Sequence, residues 1–220
     1  MGLFFAAVAS VLALSFLACS PNLEQNPRIS ELRDNILVGQ AQGYKVTIVS
    51  GMRENPFVID GKSGEKKADF VVLTLAPDTF SLAAEYGFSV TIAGTKYSGR
   101  LLKHPFNNTY SAEIATRATE RELAVTISGG ADLTVTASSV VGDNFIGAMK
   151  AFDIAQKRVG DDVEDLAKTT EYEIFIRLIE SPVDLSGGFR WYVAFVFECE
   201  TTFAVLIDPV SMEILAVKED

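Results

Sequence analysis

The sequence predicts a mainly β protein with an α+β part: an N-terminal antiparallel β-sandwich, followed by a small domain in which one helix covers an antiparallel sheet. Short stretches of alternating apolar and polar residues, separated by Gly, Asn and Asp turns, fill residues 36–140. One stretch with helical spacing follows, and only strand-like stretches come after it. The charge changes at the same place. Residues 19–142 carry 13 acids and 12 bases, net −1, whereas residues 143–220 carry 16 acids and 7 bases, net −9.

The chain begins with an apolar leader that ends at Ala18-Cys19-Ser20-Pro21. It is shorter than the roughly 20 apolar residues that a membrane-spanning helix needs, and it suits the core of a signal peptide. Its end resembles a bacterial lipoprotein signal, in which a small residue precedes the lipidated cysteine. The resemblance implies that residues 1–18 are a signal peptide, that Cys19 carries the lipid, and that the protein lies on the extracytoplasmic side of the bacterial cell envelope. An uncleaved anchor and a plain secretory signal are the alternatives.

Residues 19–35 are predicted to form a polar tether with one short helical turn, because prolines and charged residues interrupt every apolar pattern there. The predicted sandwich begins at residue 36. Each of its strands places apolar residues on one face, as Val71, Leu73 and Leu75 do in "DFVVLTLA". Two further strands surround the turn Gly129-Gly130.

The second domain, residues 143–220, opens with the stretch "DNFIGAMKAFDIAQKRVG", which has apolar residues at helical spacing. Met149 and Phe152 belong to its apolar stripe, and Gly160 is expected to end the helix. The acids in residues 161–165 are then expected to form a solvated turn. Four strands follow, including "EYEIFIRLIE" and "FRWYVAFVFE".

This second domain resembles the PepSY domain. The resemblance rests on the helix "AMKAFDIAQKRVG", the strand "YEIFIRL" and the ending "DPVSMEILAV", in which Asp208, Glu213, Ile214 and Leu215 match the family's turn and final strand. Met212 stands where the family has a glycine. The resemblance implies an exported or surface protein whose role is inhibitory or chaperone-like toward a peptidase.

The sequence contains no recognisable catalytic set, so we predict that the protein is not an enzyme. One histidine, His104, and two cysteines are too few for a zinc site, and we predict neither a metal nor a cofactor. The acidic second domain argues against nucleic acid as a partner. Cys199 continues an alternating apolar strand, which predicts a buried and unreactive thiol.

The strand that begins at Phe189 has two apolar faces. Trp191 and Val193 lie on the face expected to meet the helix, while Tyr192, Ala194 and Val196 lie on the other, which either packs against the first domain or binds a protein partner. We therefore predict an exported, lipid-anchored, non-catalytic binding or regulatory protein of the cell envelope. The alternatives are a carboxylate-based hydrolase acting in the groove between the domains and a structural envelope lipoprotein.

Overall fold

The structure is a computed structural model that describes residues 23–129, 132–181 and 188–219. The predicted signal peptide, 1–18, and Cys19 lie outside the described residues. A 3₁₀ turn at Leu23–Gln25 precedes the first strand. The strands and the helix are β1 Ile29–Ala41, β2 Tyr44–Glu54, β3 Lys67–Pro77, β4 Tyr86–Ile92, β5 Thr95–Lys103, β6 Tyr110–Ile114, β7 Glu122–Ser128, β8 Leu133–Ser139, α1 Ala148–Leu166, β9 Tyr172–Glu180, β10 Phe189–Phe197, β11 Thr202–Ile207 and β12 Ile214–Glu219.

The first eight strands form a closed antiparallel barrel in the order β1-β2-β3-β6-β5-β4-β7-β8. The barrel closes where Leu37 and Val38 of β1 pair with Ser139 and Ser138 of β8. The predicted sandwich is therefore wrong, although the mainly β prediction is confirmed. Strands of both architectures present one apolar face to a core, so alternation alone does not tell them apart. The apolar side chains fill the barrel interior.

A glycine makes the closure possible. A β-carbon at Gly39 on β1 would lie 2.2 Å from the backbone oxygen of Thr136 on β8, so any larger residue would separate the two strands. Glycine within a strand marks a close approach of this kind.

Strand β1 also carries the rest of the sheet. Its first half, Ile29 to Arg33, pairs in parallel with β9, and β10, β11 and β12 extend the sheet from there as an antiparallel meander. Residues 29–35, which the sequence places in the tether, are thus part of a mostly buried strand. The structure has two apolar cores, but Gly142 does not separate them, because Leu23, Ile29, Leu32 and Ile36 belong to the second core and one hydrogen-bonded sheet runs through both.

Helix α1 covers one face of this extension and encloses the second core. It buries Ala151, Ala155, Val159 and Val163 against the sheet. Opposite them lie the buried side chains of Trp191, Val193, Phe195 and Phe197 on β10, as the alternation predicts. The indole Nε1 of Trp191 donates a 2.9 Å hydrogen bond to the carbonyl of Ile146, which ties the start of the helix to the sheet.

The helix is displaced relative to the prediction. It begins at Ala148, with Gly147 as its N-cap, and it continues through Gly160 to Leu166. The acids in residues 161–165, which the sequence places in a turn, form its last turns. Gly160 is tolerated inside the helix because the burial of Val159 and Val163 on either side of it outweighs the roughly 1 kcal/mol propensity cost of glycine.

Candidate functional site

A groove in the described part of the chain lies between the end of α1, the start of β9 and the segment before β1. It has two compartments that share Pro27, Arg28 and Tyr172, and we call it the Arg28 groove. The short segment Asn26–Arg28 reaches it because Ile29 and Leu32 are anchored in the second core. The groove also includes Lys62 and Ser63 of the β2–β3 loop, so the barrel and the extension both contribute to it.

The first compartment is polar and has a volume of about 590 Å³. The turn that follows α1 lines it with Lys168, Thr169 and Thr170. The carboxylates of Glu171 and Glu198 lie there too, and Glu198 forms a 2.5 Å ion pair with Lys62. This ion pair raises the pKa of Lys62. Most of the charge in this compartment is therefore already balanced by neighbouring side chains.

The second compartment, of about 460 Å³, has an apolar floor and a polar rim. Phe152 and Val163 of α1 form part of the floor, together with Ile174 and Phe195 of the sheet. The rim contains Asn26, Gln156 and Glu164. Gly160 also lines this compartment, and its lack of a side chain leaves the wall of the groove open.

Arg28 and Tyr172 separate the two compartments. The Nη1 of Arg28 donates a 2.5 Å hydrogen bond to the hydroxyl of Tyr172, and the guanidinium carbon lies 4.5 Å from the centre of the same ring. The ring of Tyr172 in turn contacts the buried ring of Phe197, with centroids 5.0 Å apart. This chain of contacts holds an exposed cation in a defined position between a polar and an apolar compartment.

The face of β10 that carries Tyr192, Ala194 and Val196 lies on the opposite side of the sheet and is mostly covered. Ala194 is buried beside Phe175 and Ala204, and Tyr192 and Val196 are half-buried. The ring of Phe57, from the β2–β3 loop, packs edge-on against Phe175 with centroids 6.3 Å apart.

Two buried carboxylates attach this loop to the sheet. The Oε1 of Glu173 on β9 accepts hydrogen bonds from the amides of Asp60 and Gly61, at 2.9 and 2.8 Å. Glu54, at the end of β2, accepts from the amides of Val58 and Gly64. Nothing in the sequence signals these contacts, because the alternating pattern records only that these positions are polar.

The second oxygen of Glu173 has no hydrogen-bond partner, and neither does the hydroxyl of Ser30. Both residues are fully buried. Burial raises the pKa of Glu173, while the nearby Ser30 hydroxyl and the amides of Gly61 and Asp60 partly oppose this effect. The Ser30 hydroxyl is thus close enough to favour the carboxylate electrostatically, although no hydrogen bond of normal geometry joins the two groups.

A third buried carboxylate, Glu31 on β1, accepts hydrogen bonds from the Nε of Arg33 at 2.7 Å and the Nε of Arg177 at 2.5 Å. Burial lowers the pKa of Arg177, although Glu31 opposes the effect. With both oxygens paired to guanidinium groups, Glu31 holds the junction between β1 and β9 together.

Cys199 is exposed in the turn between β10 and β11, so the prediction of a buried thiol is wrong. The strand ends at Phe197, and Glu200 turns the chain with a φ of 67°. The thiol donates a 3.4 Å hydrogen bond to the hydroxyl of Thr201. Hydrogen bonds from the Thr201 hydroxyl and amide to the thiolate lower the pKa of Cys199. His104 lies in the β5–β6 loop of the barrel.

No group of three or more His, Cys, Asp or Glu side chains is placed to hold a metal ion in residues 23–129, 132–181 and 188–219. Over the same residues, the helix present is not long and apolar enough to cross a bilayer. Comparisons with protein-family models, with curated proteins and with solved structures gave no match. The PepSY resemblance therefore stays a prediction from the sequence.

Proposed function

We propose that the protein is an exported, lipid-anchored and non-catalytic binding or regulatory protein of the bacterial cell envelope, and that it recognises a protein partner through the Arg28 groove. The main observation behind this proposal is the order of groups along the groove: a polar compartment, then the guanidinium of Arg28 held by Tyr172, then an apolar compartment. An extended polypeptide segment offers matching groups along its length, namely backbone carbonyls for Arg28 and side chains for the apolar floor.

The balance of charges in the groove supports binding rather than catalysis. Arg28 is engaged by Tyr172, and Lys62 by Glu198. Side chains held in this way offer a fixed surface for recognition. Membrane attachment through Cys19 and the location in the envelope rest on the lipoprotein-like end of the leader.

The conformation of the turn before β12 supports the PepSY resemblance. Met212, at the position of the family's glycine, has a φ of 65°, which is a conformation that glycine adopts easily. Asp208 organises this turn by accepting hydrogen bonds from the amides of Val210 and Ser211, both at 2.9 Å. Modulation of a peptidase, the role that the resemblance implies, is part of our proposal for the partner.

Site-specific crosslinking in the native membrane tests the proposal. A photoreactive amino acid at Thr169, an exposed residue in the groove, is expected to form an adduct with a discrete protein, and Arg28→Ala is expected to abolish that adduct. The same probe at Thr126, an exposed residue on the barrel, is the matched control. Identical adducts at both positions, or adducts that persist in the Arg28→Ala variant, would contradict the proposal.

A carboxylate-based hydrolase is the second candidate, because Glu171 and Glu198 line the same polar compartment. The amide of Glu198 donates a 3.3 Å hydrogen bond to the carbonyl of Glu171, so the two residues are neighbours. This candidate requires that Glu171→Gln abolish turnover while the partner adduct at position 169 is retained. A structural envelope lipoprotein, the third reading, requires instead that the adduct be insensitive to Arg28→Ala and that the protein co-purify with a larger complex from detergent.

A further inference from the structure

The three most exposed large apolar side chains among the described residues lie at one end of the barrel. Phe106 is 92% exposed, Leu82 is 78% exposed and Leu102 is 67% exposed. Leu82 belongs to the β3–β4 loop, Leu102 to the end of β5, and Phe106 to the β5–β6 loop. We call this end of the molecule, residues 78–85 and 102–109, the barrel tip.

Direct contacts join the two loops of the barrel tip. The hydroxyl of Tyr110 donates a 2.6 Å hydrogen bond to the carbonyl of Ser81, and the Nζ of Lys103 lies 5.0 Å from the centre of the Phe80 ring. Leu82 and Leu102 also line the same cavity of about 320 Å³. The exposed apolar side chains therefore belong to one surface.

The β5–β6 loop is ordered by its own hydrogen bonds, which hold Phe106 outward. The amide of His104 donates to the carbonyl of Thr109 at 2.9 Å. The Nδ1 of His104 accepts from the amides of Phe106 and Asn107, both at 3.2 Å. The ring of Phe106 lies beside that of His104, with centroids 6.2 Å apart, and stays almost fully exposed.

The charge of the barrel tip differs from that of the extension. The barrel tip carries two acids, Asp78 and Glu85, and one base, Lys103, and Glu85 pairs with Arg100 of β5, so the tip together with Arg100 is neutral, whereas residues 143–220 carry −9. The acidic part, residues 143–220, joins the barrel through the first half of β1, and β1 reaches the barrel tip only at its other end. The neutral tip is thus the end of the barrel that lies away from the acidic extension.

We propose that the barrel tip docks on a lipid bilayer and inserts Phe106, Leu82 and Leu102 into the boundary between head groups and acyl chains. Separate apolar side chains that project from loop ends enter this shallow layer without the continuous flat contact that a protein partner needs. Lys103 lies at the same end of the barrel and is the cation nearest to the anionic head groups, while the acidic extension is held away from the surface. This contact does not depend on the proposed partner in the Arg28 groove or on lipid at Cys19.

Fluorescence quenching reports whether one chosen side chain enters the acyl layer, so it tests the proposal even if a lipid at Cys19 also anchors the protein. The full chain extracted from its native membrane is reconstituted on vesicles of phosphatidylethanolamine and phosphatidylglycerol whose acyl chains carry bromine. The added fluorescence of Phe106→Trp is expected to be quenched. The matched control is Ile59→Trp, at an exposed apolar position in the β2–β3 loop at the other end of the barrel, and it is expected to stay unquenched. Trp191 is buried and contributes an equal background to both variants.

A second pair of changes links the quenching to the apolar side chains. Replacing Leu82 with Ser in the Phe106→Trp chain is expected to weaken tip insertion about tenfold, because each buried apolar side chain contributes roughly the free energy of one decade in binding. Equal quenching of the two tryptophans, or no quenching at position 106, would overturn the proposal. A third result would also overturn it. If the wild-type chain self-associates, and Leu82→Ser makes it monomeric without changing the quenching, the tip is a surface for self-association.

Discussion

Glu173 on β9 and Gly61 in the β2–β3 loop are joined by a 2.8 Å hydrogen bond from the glycine amide to the buried carboxylate. This bond crosses from the extension to a barrel loop that lines the Arg28 groove. The loop places Lys62 and Ser63 in the polar compartment, so the shape of the groove depends on the attachment of the loop to the sheet. Two of the predictions below concern this contact.

Glu173→Gln is expected to stabilise the protein at neutral pH by about 1–2 kcal/mol, the usual cost of a buried polar group without a partner. The glutamine oxygen retains the hydrogen bonds from the amides of Asp60 and Gly61, and its amide group supplies a donor for the Ser30 hydroxyl. Because burial raises the pKa of Glu173 above its usual 4.5, the native state binds this proton more tightly than the unfolded chain. The group therefore adds stability below pH 4.5 that is lost as the pH rises through the native pKa.

Chemical denaturation across a pH series measures this effect. The difference in unfolding free energy between the glutamine variant and the wild type should increase from pH 4.5 upward and then level off. A difference that does not change with pH, or a variant less stable than the wild type at neutral pH, would show that Glu173 is well solvated when ionised.

Gly61→Ala is expected to destabilise the protein about 1–3 kcal/mol more than Gly94→Ala. Both glycines have a positive φ, of 82° and 78°, so the two alanines share the same backbone strain. A β-carbon at Gly61 would lie 2.2 Å from the backbone nitrogen of Glu198, whereas nothing lies within 4 Å of one at Gly94. Equal melting temperatures for the two variants would mean that the loop moves aside at no cost.

Glu31→Ala is expected to cost about 3–5 kcal/mol, because it leaves the mostly buried guanidinium of Arg177 without its counter-ion. The control is Glu85→Ala, which breaks the exposed ion pair with Arg100 and should cost less than about 1 kcal/mol. Urea denaturation of the two variants provides the comparison. Similar losses in both would mean that water replaces Glu31 at the junction of β1 and β9.

Met212→Gly is expected to stabilise the turn before β12 by about 1 kcal/mol, because glycine adopts a positive φ without the steric cost that a side chain incurs. The Met212 side chain is 47% exposed, so little burial is lost. Val210→Gly, in the same turn and equally exposed, has no positive φ to relieve and is expected to be neutral or destabilising. A melting temperature that falls in the Met212→Gly variant would contradict this account.

Cys199 is expected to react with iodoacetamide in the native protein at least as fast as a cysteine in a denatured chain. The thiol is exposed, and its hydrogen bonds with Thr201 lower its pKa and raise the thiolate fraction. Thr201→Val should slow the reaction by removing the hydroxyl. Mass spectrometry of timed samples measures both rates, and a protected thiol in the folded wild type would disprove the exposed position.

The sequence predicted the elements of this fold well because their signals are local. Alternation identified the strands that supply Leu73 and Val125 to the barrel core and Trp191 and Val193 to the second core. Helical spacing located most of α1. The side chains that fill the apolar floor of the groove, Phe152 and Phe195, were likewise recognisable as buried or half-buried positions.

The tertiary structure alone decided how these elements are joined. Closure of the barrel depends on two residue pairs between β1 and β8, about a hundred positions apart, and the only trace of it in the sequence is the glycine inside β1, Gly39. The first half of β1, predicted as part of the tether, carries the polar residues Ser30, Glu31 and Arg33, and its place in the sheet depends on the pairing of buried Glu31 with Arg177 and on packing from β9. The predicted helix end at Gly160 is wrong because packing of the helix against distant strands outweighs the local propensity of glycine. The predicted burial of Cys199 is wrong because the chain turns at Glu200, which has a positive φ. Composition and periodicity indicate which side chains are buried. Which strands pair with each other depends on contacts between segments that are far apart in the chain.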